Sequence, residues 1–111
     1  MIIPKSIVNG VGLTNLAVTY YTVPAKTRAI IKKATFVNDN STVVTVTINL
    51  VPTGNSVGYA NRIVKAKALS PNETWVCSSI ENHELETGGF ISMLASETTK
   101  IGCRISGYEV T

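Results

Sequence analysis

Few residues in this sequence could carry out acid, base or nucleophilic chemistry. There is one Asp, Asp39, and one His, His83. A Ser-His-Asp relay would need both, or a Glu in place of the Asp, because the imidazole requires a carboxylate to fix its tautomer. Asp39 is taken up by the turn Asp39-Asn40-Ser41, and no Ser sits in a glycine-flanked nucleophile elbow. Glu81, His83, Glu84 and Glu86 are legitimate cation ligands by type. Their spacing matches no known site, and they read as a solvated acidic loop. Cys77 falls on a strand face with Trp75, and Cys103 on one with Ile101 and Ile105, where a thiol behaves as a small hydrophobe. Both are expected to be free. Gly54 and Gly58 lack the following Lys-Ser or Lys-Thr of a phosphate loop and read as turn glycines. The expectation is a chain that is not an enzyme, with no catalytic, cofactor-binding or metal residues.

Basic residues near aromatic ones suggest a second chemistry. A small β-barrel can bind single-stranded nucleic acid by stacking bases on rings within a basic groove. Tyr20, Tyr21, Tyr59 and Tyr108 are the available rings, and Lys32, Lys33, Lys65 and Lys67 the nearby charges. Aromatics make up only 6% of the chain, however, and the formal charge is a mild +3. Lysines on strands also protect exposed edges from pairing with other chains. For a carbohydrate-binding sandwich the stacking rings would be Trp75 and Tyr59, and Trp75 reads as core. Nucleic-acid and sugar binding remain alternatives.

The elements that position these residues are organised around Tyr20 to Leu50. Val44, Val46, Ile48 and Leu50 alternate with Thr45, Thr47 and Asn49, the period-two pattern of a strand with one buried face. From Arg28 to Asn38 the pattern is mixed: Ile30, Lys32, Ala34 and Phe36 alternate with Ile31, Lys33, Thr35 and Val37, so neither face is wholly apolar. Asp39, Asn40 and Ser41 lie between and favour turns, which predicts an antiparallel hairpin. Ala17 to Val23, Asn61 to Leu69, Thr74 to Ile80, Phe90 to Ala95 and Ile101 to Val110 read as further strands. In the Asn61 to Leu69 strand, Ile63, Lys65 and Lys67 form a basic outer face. The first sixteen residues, with Pro4, Gly10 and Gly12, read as an arm with a short strand, and 17–111 as a single β-sandwich domain. Seven or eight short strands without intervening helices predict an all-β antiparallel sandwich or barrel.

The composition agrees with this reading. The 111 residues fit one domain, and charged residues are only 15%, against about 25% in ordinary soluble domains. Thr, Ser and Asn must therefore cover much of the surface. The start MIIPKSIVNGVG lacks a secretion signal, and the longest uncharged run, Ser6 to Ala25, is interrupted by Asn, Gly and Pro. The expectation is a product of the cytoplasm with no membrane partner. Asn40-Ser41-Thr42 and Asn72-Glu73-Thr74 match the glycosylation pattern, as a Thr-rich chain does by chance.

The order of YYTVPAKTRAIIKKATFVN, VVTVTINLVP, RIVKAKALSPNETW and IGCRISGYEV resembles the small jelly-roll decoration, staple or cement proteins on the heads of tailed bacteriophages of the epsilon15-like kind. The likeness covers about Ala17 to Val110 and rests on strand pattern and turns; similar strand-turn phrases often carry Gly after the Pro-Ala pair, where this chain has Lys26. It implies a jelly-roll fold, no enzymatic activity, and a virion structural protein on the outer capsid surface, made in the bacterial host cytoplasm. Its partners would be the major capsid protein of HK97-like fold and a second copy of itself as a homodimer, with no direct nucleic-acid contact. A tail or neck component would present the same kind of surface. The residues expected at a protein interface are Lys65 and Lys67 on one outer strand and Arg104 and Tyr108 on another.

Overall fold

The structure, a computed structural model, describes residues 1–111. Nine strands run β1 (Ile2–Gly12), β2 (Val18–Thr22), β3 (Arg28–Asn38), β4 (Val44–Val51), β5 (Arg62–Leu69), β6 (Thr74–Val76), β7 (Glu84–Leu85), β8 (Phe90–Ala95) and β9 (Ile101–Val110). They form two antiparallel sheets. The front sheet has the order β1-β9-β3-β6, with β7 also on β3, and the back sheet the order β2-β8-β4-β5. The all-β sandwich is thus present, with one edge position divided between β6 and β7. The only helices are single 3-10 turns at Tyr59–Asn61 and Ser78–Ile80, and none is long and apolar enough to cross a membrane.

The alternation in β4 determines its packing. Val44, Val46 and Ile48 have no exposed surface, and Leu50 is buried beside them. Ile91, Met93 and Ala95 of β8 continue the same inner layer. Opposite lie Ala29, Ile31, Ala34 and Phe36 of β3 with Ile101, Cys103 and Ile105 of β9, and together the two layers make one core.

The expected hairpin between Arg28–Asn38 and Val44–Leu50 does not form. β3 lies between β9 and β6 in the front sheet, while β4 lies between β8 and β5 in the back one. Side by side in one sheet, the two apolar faces would both need another layer; across the sandwich each covers the other. Asn38 fixes the corner. Its fully buried amide donates to the carbonyls of Thr42, Leu69 and Ser70 at 3.0, 3.0 and 3.2 Å, and its Oδ1 accepts from the Asn40 amide at 3.0 Å. A buried Asn kept in this way costs nothing in unmet hydrogen bonds.

The mixed pattern of β3 has a structural cause. Ile31 pairs with Gly107 and Lys33 with Ser106, so Lys32 is an extra residue in a β-bulge. The bulge shifts the alternation by one, so that Ala29 and Ile31 face inward before it and Ala34 and Phe36 after it. The N-terminal segment also departs from expectation. Instead of an arm with a short strand over 1–16, Ile2–Gly12 is an eleven-residue strand paired along β9, with Ile7 and Val8 in the core. Its register shifts between Ser6 and Val8 and again between Val8 and Val11. These bulges hide it from a period-two reading. The strand expected over Thr74–Ile80 stops at Val76, because Ser78–Ile80 closes into a 3-10 turn.

Candidate protein interface

β9 carries two of the expected interface residues, and its neighbours shape the surface around them. Inward Ile101, Cys103 and Ile105 alternate with outward Arg104, Ser106 and Tyr108. The β1 bulge between Ser6 and Val8 faces Ser106 and Ile105, while the β3 bulge between Ile31 and Lys33 faces Gly107 and Ser106. Two bulges therefore flank the same stretch of β9. Each re-aims side chains and breaks the ladder locally, and Gly107 leaves room for the displaced Ile30 carbonyl, against which an added Cβ would collide.

The result is a shallow depression of about 390 Å³, lined by Pro4, Lys5, Ser6, Lys32, Arg104, Ser106, Gly107 and Tyr108. Three of these are cations and none is an acid. The one ion pair in the structure joins Arg28 to Glu84 at 2.9 Å, on the same face but outside the depression. Tyr108 is half-buried and lies in a cross-strand row with Pro4 and Ile30. The row gives the basic depression an apolar shelf along one side.

Lys65 and Lys67 lie on β5, at the edge of the other sheet, so the structure does not bring the four expected interface residues together. Nor do the two lysines share a face. Val46 pairs with Lys67 and Ile48 with Val64, which places a bulge in β5 at Ala66, whose φ is +49°. Lys67 is thereby turned to the side of buried Leu69, and its Nζ stands 5.7 Å from the Trp75 ring centre. The ammonium over the ring is a cation–π contact that closes the side of the sandwich between β5 and β6. Lys5 and Lys32 are the residues sequence reasoning left out of this surface. Lys5 lay in the presumed arm, and Lys32 sits at a bulge that no spacing announces.

The other candidate chemistries are dispersed. Tyr59 is 88% exposed on the loop before β5. Trp75 is half-buried against Phe36, ring centres 5.4 Å apart, beside the far end of β5. They do not form one stacking platform. Glu84 is engaged by Arg28, and no three His, Cys, Asp or Glu side chains converge. Tyr21, on β2, donates its hydroxyl to Glu109 on β9 at 2.6 Å and so ties the sheets together. Burial, then the hydrogen bond to the Glu109 carboxylate and its charge, push the phenol well above its ordinary range.

The Cys77 amide bonds to Ala34 on one side of β3, and Cys103 pairs with Phe36 on the other. Two strand spacings and a two-residue offset along β3 put their Cα atoms roughly 12 Å apart, beyond the reach of a disulfide. Both thiols are free and buried. Burial raises both pKa values, that of Cys103 to about 12, with a smaller contribution from the neighbouring Cys77. No family model, curated protein or solved structure matches this chain.

Proposed function

We propose that this chain is a non-enzymatic virion structural protein that decorates the outside of a phage head and clamps neighbouring major capsid proteins together. The observation that carries the reading is the order in which the chain visits the sheets. It runs front, back, front, twice back, then front through β6 and β7, back and front, giving β1-β9-β3-β6 against β2-β8-β4-β5. Two Greek keys rolled into one sandwich have this order, which supports reading the fold as a jelly roll, a form that recurs in viral shell domains. That is an analogy of fold, and folds host many functions. The surface supports the same reading, since a face of β-branched, hydroxyl and basic side chains offers contact area without a deep cavity. Several weak contacts become strong when one clamp engages subunits held at fixed spacing.

The test is to compare heads assembled with and without the chain. Heads lacking it are expected to form and then to lose DNA sooner on heating or chelation, because a ligand of the closed shell stabilises it without building it. The purified chain should bind assembled shells and not isolated capsid subunits. Equal heat resistance of the two kinds of head would overturn the clamp, and density for the chain in the tail or neck would replace it with that role.

A further inference from the structure

We propose that the depression between the two bulges is a docking site for an acidic protein segment, one that presents two or more carboxylates beside an apolar side chain. The proposal rests on the clamp reading only for the identity of the protein that carries the segment. Lys5, Lys32 and Arg104 converge on the depression without a carboxylate of their own. The chain has little to spare for them. Of its seven acids, Glu73 accepts from the Ser70 amide, Glu84 from Arg28, Glu97 from Asn40 and Glu109 from Tyr21.

The donor set suits carboxylates. A guanidinium presents a flat fork that takes both oxygens of one carboxylate. The two lysines act as point charges, and the hydroxyls of Ser6 and Ser106 offer further donors. Tyr108, in its row with Pro4 and Ile30, gives the neighbouring side chain an apolar surface with a polar tip. Three cations and a single ring make a compact site, whereas single-stranded nucleic acid calls for a longer basic track with successive rings.

The face is a better docking surface than the edge. The sheet edge beside the depression is β1, and there Pro4 lacks an amide, the register is broken twice, and Gly10 has a φ of +68°. Such features blunt an edge against strand addition. A second copy is a poor occupant too, since each carries a net +3 and like charges repel at contact.

The experiment is an NMR titration of the intact, isotope-labelled protein with a short synthetic peptide alternating Glu and Leu, with its Lys-for-Glu counterpart, and with oligothymidylate. The acidic peptide is expected to shift amides around Ser6, Lys32 and Ser106, with affinity that falls as salt rises. Arg104→Glu should weaken binding by about tenfold, and Lys65→Glu, on the other sheet, by less than about twofold. Lys32→Glu repeats the test if Arg104→Glu misfolds. The proposal is overturned if no shifts appear at millimolar peptide or if Lys65→Glu weakens binding as much as Arg104→Glu. It is equally overturned if oligothymidylate binds this face more tightly, or if the shifts trace to self-association seen by sedimentation. Heads still bound by Arg104→Glu would leave the clamp standing and remove this face from it. Peptide binding by a chain absent from heads would do the reverse.

Discussion

The front and back sheets bury similar aliphatic side chains against each other, but their outer faces differ in what they leave unused. On the back sheet, outward Asn49 is only 3% exposed, and its amide donates to the Gly58 carbonyl at 2.9 Å and to Asn61 Oδ1 at 2.7 Å. Outward Thr47 accepts the Ala66 amide at 3.0 Å and so holds the β5 bulge. These polar groups are spent on the chain's own loop and edge. On the front sheet Arg28 has a partner, while Lys5, Lys32, Lys33 and Arg104 have no acidic one; on the back sheet Arg62 and Lys65, also without one, stand on the edge strand β5. Outward polar residues thus divide into those that complete the scaffold and those left for another molecule, and hydrogen-bond partners make the division.

Substitutions can break this contrast, and the largest effect is expected at Gly107. Gly107→Ala places a methyl against the Ile30 carbonyl and 2.8 Å from Ile7 Cδ1, where backbone must move. We expect a loss of about 4 kcal/mol or more in denaturant unfolding; a loss under about 1 kcal/mol would mean that the front-sheet bulges are not packed as described. Ile48→Ala, in the unbroken strand of the back sheet, should cost about 2 to 5 kcal/mol through the cavity it leaves. Asn38→Asp turns a buried donor into an acceptor facing three carbonyls, so a loss of about 3 kcal/mol is expected. A neutral result would restore the hairpin as a possibility.

Smaller effects sharpen the contrast. Thr47→Ala should cost about 1 kcal/mol, since it removes the acceptor for the Ala66 amide. The Tyr21 bond gives a pH signature. An unfolded Tyr loses its proton near pH 10.0, while the folded one holds it, the pKa being raised. The bond therefore contributes fully below pH 10.0, and stability falls as pH rises beyond it, because the folded state then binds the extra proton. Tyr21→Phe should be less stable at neutral pH by about 1 kcal/mol, and should show a shallower alkaline loss in thermal melts. Ala66→Gly relieves a left-handed Ala at φ +49° and should stabilise by about 1 kcal/mol. Destabilisation there would mean that the β5 bulge is held by more than its turn.

The legible parts of the sequence were those where one rule governs. β4 over Val44–Ile48 and β9 over Ile101–Gly107 alternate without interruption, so their buried faces could be read residue by residue. β1 and β3 could not, because a bulge inserts one residue and exchanges the faces beyond it, which depends on the partner strand. The Asp39–Ser41 turn was visible as a reversal, but local turn chemistry does not determine whether the chain returns in its own sheet or in the opposite one. Arg104 and Tyr108 were readable as outward on β9. Lys5 and Lys32 join them only through register, and Lys67 leaves Lys65 only because of the bulge at Ala66.

The most direct test of the proposed clamp is a difference density map between phage particles assembled with and without this chain. A clamp is expected to give difference density on the outer surface of the head, bridging adjacent coat subunits, with the β1-β9-β3 face toward the coat. Density confined to the tail or neck, or a chain seated on the head by its β4-β5 face, would contradict it.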